Sequence, residues 1–235
     1  MMRLDKLLAH SGFGSRKEVK RLIRSGVVKV NGVIVKDDDY KVAEDKDSVM
    51  VEEFKLEYQA NVYLMMNKPK GYLCANYDNY QNTVFDLIPE YNHLDLFCVG
   101  RLDKDTTGLL LITNDGEFSY SITKPKKNVF KQYEALIEGK VSPNDYDYFQ
   151  KGVIIDNGYQ CLPAKLEVVS EQAKTSLIRI EIREGKFHQI KKMVKAINCE
   201  VLELKRLKIN NLELDKSLEL GDYRCLSDED IQKIF

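Results

Sequence analysis

Arg101 and Asp103 stand two residues apart in Gly100-Arg101-Leu102-Asp103-Lys104-Asp105-Thr106-Thr107-Gly108, directly ahead of the apolar run Leu109-Leu110-Leu111-Ile112. A carboxylate held in such a turn is a candidate nucleophile or proton acceptor, and a neighbouring guanidinium suits an anionic ligand such as phosphate. An aspartate in a turn often does no more than bond its own backbone, so residue types alone leave both roles open. Asp105, two residues on, is a possible second carboxylate of the kind that glycoside hydrolysis uses. A second cluster lies in Glu184-Gly185-Lys186-Phe187-His188-Gln189-Ile190-Lys191-Lys192-Met193, where His188, Lys191 and Lys192, with Lys195 just beyond, recur at helical spacing.

The elements that must carry these groups are legible in the periodicity. The run after Gly108 reads as a buried strand, which presents Asp103 at its mouth. Val62 to Met66 reads as another strand, followed by the Pro/Gly loop Asn67-Lys68-Pro69-Lys70-Gly71-Tyr72. Lys131 to Ile137 alternates, and Leu177 to Arg183 does so more clearly, with Ile178, Ile180 and Ile182 on one face. After Gly185 a helix is expected whose apolar stripe is Phe187, Ile190, Met193, Val194 and Ile197, with Asn198 as its left-handed stop. Many strands with few helices imply an α+β fold on a mainly antiparallel, mixed sheet.

The N-terminal end has a different character. Residues 1–36 hold nine Lys/Arg against two acids, whereas residues 37–59 hold nine acids against three lysines. That asymmetry says more than the net charge of −1. Ser15-Arg16-Lys17-Glu18 has the form of a capping box, opening a helix to about Ser25 with Gly26 as its stop. Val19, Leu22 and Ile23 share one side of it, and Lys17, Lys20, Arg21 and Arg24 the other, a spacing that can track phosphates. Val27 to Val35 reads as a hairpin about an Asn31-Gly32 type I′ turn. The acidic stretch is expected to close this small domain and link it onward.

Composition excludes several classes. No apolar run approaches the roughly 18 residues of a membrane span, and the first residues lack a signal-peptide core. Five scattered cysteines without a C-x-x-C pair, and three separated histidines, indicate neither a disulfide framework nor a metal site. A reduced cytoplasm is the expected setting, and no coiled coil or spare apolar face speaks against a monomer.

The string Gly100 to Thr113 closely resembles the signature of the pseudouridine synthases, with Asp103 at the catalytic position. Asn67 to Tyr72 and Glu184 to Met193 resemble the family's first and third motifs, in the expected order. The His188-Gln189-x-Lys191 form, and Ser217 to Ile231, look like the branch that modifies small-subunit ribosomal RNA. Arg3 to Leu8, Ser15 to Lys17 and Val28 to Gly32 resemble the S-four-type RNA-binding domain. The resemblance implies an RNA-binding domain at 1–58, an α/β module that includes the acidic linker, and a catalytic domain at 59–235. It implies isomerisation of a uridine in 16S rRNA (the uridine-516 type), with no cofactor and no metal. Asp103, Tyr133 as a flat ring for the flipped uracil, and Lys191 as the basic partner of the carboxylate would be catalytic. Arg101, Arg16, Lys17, Lys20, Arg21, Arg24, Lys68, Lys70, His188 and Lys192 would contact RNA, as would Lys124, Lys126 and Lys127. Lysine at 191 lacks the bidentate fork of the arginine that many relatives carry. The alternatives are a large-subunit 23S rRNA enzyme, a non-catalytic ribosome-assembly factor that has kept the fold, and a hydrolase of glycosidic bonds, which would release free uracil.

Overall fold

The computed structural model describes all residues except Glu44, Asp45, Glu57–Ala60, His93, Pro125 and Lys126. Two compact units emerge: Met1–Asn61 with Ile88–Leu96, and Val62–Leu87 with Phe97–Phe235. The expected boundary at 58/59 and the expected RNA contact Lys126 lie outside the described residues.

In the small unit, the helix Arg16–Ser25 starts as its sequence dictates. Ser15 accepts from the Glu18 N–H while Glu18 accepts from the Ser15 N–H at 2.7 Å, and Gly26 ends the helix at φ +83°. Its apolar side, Val19 and Ile23, enters a core with Leu4, Leu7, Leu8, Val28, Val30 and Val42. Asn31 and Gly32, both at positive φ, turn Val28–Val30 onto Val33–Ile34. The acidic stretch is more than a linker. Within it Val49–Val51 pairs antiparallel with Val28–Val30 and buries Val49 and Val51. Alternation over so short a strand was masked by the acids in the turns around it.

The large unit is built on a sheet whose strands run, side by side, Lys165–Glu171, Thr175–Ile182, Lys131–Glu138, Glu200–Ile209, Thr107–Thr113, Tyr63–Lys68 and Tyr223–Cys225. Neighbours are antiparallel except Glu200–Ile209 and Thr107–Thr113, which run parallel through Lys205 with Thr107 and Arg206 with Gly108. Leu109 and Leu111 on the Thr107–Thr113 strand join Met65, Phe118, Ile122, Val129, Ile209 and Ile234 in one core. Gly108 permits the parallel contact. It sits at φ +99°, and a Cβ there would lie 2.3 Å from the Arg206 carbonyl oxygen.

One expected helix begins later than its apolar pattern suggested. It spans Gln189–Lys195, so Phe187 lies outside it and is 72% exposed rather than part of the apolar stripe. His188, in the left-handed region at φ 53°, breaks the helical run before Gln189. Asn198 does adopt the left-handed conformation, at φ 58°.

Candidate active site

The turn that carries Asp103 is held from behind. The Thr106 N–H donates to the Asp103 carbonyl at 3.1 Å, and the Leu102 N–H donates to Cys74 Sγ at 3.4 Å. Beneath it lies Lys68, which corrects an expectation: instead of reaching RNA phosphates, its side chain is fully buried. Its ammonium donates to the carbonyls of Pro69, Asp103, Lys104 and Thr106 at 2.9, 3.2, 3.3 and 3.0 Å. Burial pushes its pKa below the usual lysine value, while the Cys74, Asp105 and Asp103 side chains pull it back up. A strand ending in Lys-Pro thus ties the Pro69 loop to the Asp103 turn through one cation.

Asp103 projects outward with 27% of its side chain exposed. Its Oδ2 lies 3.5 Å from Lys191 Nζ, and its Oδ1 lies 3.7 Å from His188 Nε2. Lys191 stands closer to the neighbouring carboxylate, donating to Asp105 Oδ1 at 2.6 Å and Oδ2 at 2.8 Å. Desolvation draws the Asp105 carboxyl up, yet the Lys191 hydrogen bond and charge hold it below its ordinary value. One ammonium therefore serves two carboxylates, which a compact point charge on a flexible stem can do.

The loop before Lys191 is organised by two groups that sequence reasoning passed over. Glu184, 3% exposed, accepts from the Leu162 N–H at 2.8 Å, Gln189 Nε2 at 2.9 Å and the Tyr159 hydroxyl at 2.7 Å. Gln189 Oε1 in turn accepts from the Lys186 N–H at 2.9 Å. This fixes residues 184–189 and with them the left-handed His188. Glu184 follows Arg183 on the buried beat of Ile178, Ile180 and Ile182, so phase was the one signal that could have marked it.

These parts surround a cavity of about 590 Å³ lined by Arg101, Asp103, Tyr133, Lys131, His188 and Arg206 among others. Tyr133 is 9% exposed and faces Arg206 across the sheet. Lys131 and Arg206 were also missed. The available signal was phase: Lys131 falls on the buried beat of its alternating strand, together with Tyr133.

The other expected RNA contacts are dispersed. Arg101 is exposed at the cavity. Lys70 lies 3.9 Å from Glu203, and Lys192 pairs with Asp156 at 2.8 Å. Lys124 and Lys127 are exposed. In the small unit Arg16, Lys17 and Arg21 are exposed, while Lys20 and Arg24 pair with Asp38 at 3.1 and 3.2 Å. Asp5, Asp38 and Asp39 converge closely enough to suit a cation, but Arg3, Lys20 and Arg24 already neutralise them.

Comparison with known proteins bears on this arrangement. Residues 62–196 match the family model of RNA pseudouridylate synthase, and residues 2–47 match the S4 domain. An uncharacterized RNA pseudouridine synthase of Bacillus subtilis is 45% identical, over 98% of this chain and 97% of its own length. The ribosomal small subunit pseudouridine synthase A of Vibrio cholerae is 37% identical over the whole of both chains. A crystal structure of a pseudouridylate synthase superposes with a TM-score of 0.71, at 34% identity and complete coverage of both chains.

Proposed function

This chain belongs to the RNA pseudouridine synthase family, and we propose that it isomerises one uridine of small-subunit 16S rRNA, of the uridine-516 type, with Asp103 as its catalytic carboxylate. Pseudouridine forms when the N1–C1′ bond breaks, the base turns and C5 joins C1′. Nothing is oxidised or hydrolysed in that sequence. The uridine leaves its stack to reach the enzyme, the Tyr133 ring supports the flipped base, and Arg101 takes a backbone phosphate or the vacated space. Asp103 acts as nucleophile or as base on the sugar. Lys191 sets its positive charge 3.5 Å from that carboxylate.

One observation carries this reading. The Asp103 carboxylate stands at a cavity shared with Tyr133, within 3.5 Å of Lys191 and 3.7 Å of His188. The full-length likeness to a small-subunit enzyme favours 16S over 23S rRNA. The small unit supplies RNA affinity through Arg16, Lys17, Lys20, Arg21 and Arg24, with Lys70, His188 and Lys192 adding contacts in the large unit. We further infer a two-domain division at 58/59, a monomer, and action in the cytoplasm during ribosome assembly. Among the described residues no helix is long and apolar enough to cross a membrane.

The deciding experiment is tritium release from [5-³H]uridine-labelled 16S rRNA, since C5 loses its hydrogen when it joins C1′. Release by the wild type and none by Asp103→Asn, at unchanged RNA binding, is expected. Release from 23S rRNA alone would move the substrate to the large subunit. Binding without release from any RNA or assembly particle would mark a non-catalytic assembly factor.

A further inference from the structure

Two buried cations face the same cavity, and the reaction as described leaves them unused. Lys131 and Tyr133 alternate on one strand and so share a face, and Arg206 is the direct cross-strand partner of Tyr133. All three line the cavity with Asp103. Arg206 is 3% exposed; its Nε donates to the Leu109 carbonyl at 2.7 Å, while its Nη2 is buried with no hydrogen-bond partner. Lys131 donates to the carbonyls of Ile122 and Val129 at 3.2 and 3.0 Å. Neither cation forms an ion pair with a carboxylate among the described residues. Glu184, the buried acid of this cavity, is already bound to Gln189, Tyr159 and Leu162. A buried guanidinium with an unused donor is costly, and the fold keeps this one beside the ring assigned to the base.

We propose that Arg206, with Lys131 next to it, contacts a carbonyl oxygen of the flipped uracil and stabilises the negative charge that the base acquires when its glycosidic bond breaks. The inference rests on the reading of Asp103 and Tyr133 given above. When N1–C1′ breaks, the bonding pair stays on the base, which becomes a uracil anion with charge shared among N1, O2 and O4. C1′ is then met by a carboxylate oxygen of Asp103, or loses its charge as H2′ passes to that carboxylate as a proton. After the base turns, the electron pair at C5 forms the C5–C1′ bond. Asp103 departs from C1′ or returns its proton to C2′, and the C5 proton passes to water. Both courses pass through the same anion, so both call for the same cation. Arg206 is pre-set by its bond to Leu109, presents a planar guanidinium with further N–H donors, and acts where water does not screen it.

The test uses full-length Arg206→Gln, Arg206→Lys and Lys131→Met, read by single-turnover tritium release, RNA affinity and melting temperature. Arg206→Gln is expected to slow release about 10²- to 10³-fold with RNA affinity within about threefold, and Arg206→Lys to recover at least about tenfold of that loss. A rate that falls only in step with melting temperature, with lysine no better than glutamine, assigns Arg206 to the scaffold and overturns the inference. Should Arg206→Gln fail to fold, Lys131→Met decides: a slower step at unchanged affinity supports the proposal, and an unchanged rate overturns it. A fully active Arg206→Gln beside an inactive Asp103→Asn overturns this inference alone. An active Asp103→Asn overturns the reading beneath it as well.

Discussion

The two units of this chain use positive charge in opposite ways. In the small unit the cations of helix Arg16–Ser25 stand at the surface, and two of them, Lys20 and Arg24, share Asp38 with solvent nearby. In the large unit Lys68, Lys131 and Arg206 are 0%, 8% and 3% exposed and are held mainly by backbone carbonyls. Exposed charges attract a polyanion at long range and weaken with salt. Desolvated charges cost stability but act strongly over a few ångströms. The contrast separates groups suited to finding RNA from groups suited to shaping a reaction.

The largest effect should come from breaking the close approach that puts Arg206 in the wall. A Gly108→Ala methyl would meet the Arg206 carbonyl at 2.3 Å and its nitrogen at 2.9 Å, from a backbone at φ +99°. The parallel contact must open, at a cost of more than about 4 kcal/mol. Thermal melts of the full chain should lose the large unit's transition. The small unit has its own core and should keep its signal. An unchanged melt would show that the strands separate without consequence.

Lys68→Met comes next. It removes the cation beneath the Asp103 turn and leaves four carbonyls without their donor. A loss of about 2 kcal/mol in stability and about 100-fold in the rate of isomerisation, from a displaced carboxylate, is expected at unchanged RNA affinity. Weakened RNA binding with a normal rate would return Lys68 to the surface role its sequence context suggested.

That reversal shows where the sequence is legible. Local rules held for the Ser15–Glu18 cap, the Gly26 stop, the Asn31-Gly32 turn and the alternating Ile178, Ile180 and Ile182, because each depends on residues within a few positions. The string around Asp103 was legible as a candidate site through family likeness. Its supports were not. Lys68 and Asp103 are 35 residues apart, and Gly108 and Arg206 meet across 98 positions. No periodicity reports such contacts. Composition also misleads about lysine, which is ordinarily a surface residue. Only the buried phase of the alternating Lys131–Glu138 strand marks Lys131 as an exception.

The two kinds of charge should also separate by pH. Burial, followed by repulsion from Arg206, pulls Lys131 down to about 8 from its ordinary 10.5. A lysine with a lowered folded pKa penalises the folded state while it is charged. That penalty fades as pH rises from about 8 toward 10.5. The stability of the wild type relative to Lys131→Met should therefore improve across that window. In the small unit a charged form is favoured rather than penalised, and stability again rises with pH. The Arg3 hydrogen bond, working against burial, holds the Asp5 carboxyl below its ordinary 3.8. Its contribution is present above about pH 4 and is lost as pH falls through the lowered value. Chemical denaturation of wild type, Lys131→Met and Asp5→Asn across pH would reveal both slopes, and a wild type parallel to Lys131→Met above pH 8 would mean that Lys131 is solvated.

The smallest effect divides the surface stripe itself. Arg21 is exposed, whereas Arg24 donates to both oxygens of Asp38 at 3.2 Å. An arginine already sharing a carboxylate releases less on meeting a phosphate, because it must loosen that pair first. Arg21→Ala should weaken RNA binding about two- to fivefold at low salt and flatten the salt dependence by nearly one counterion. Arg24→Ala should do less of both, while Asp38→Asn, which frees Lys20 and Arg24 together, should tighten binding. Titration of RNA at several salt concentrations measures all three. Equal losses for Arg21→Ala and Arg24→Ala would show that Asp38 does not compete with phosphate, and that the stripe acts through total charge alone. In every variant the single-turnover rate at saturating enzyme should stay unchanged, because none of these side chains lies in the unit that holds Asp103.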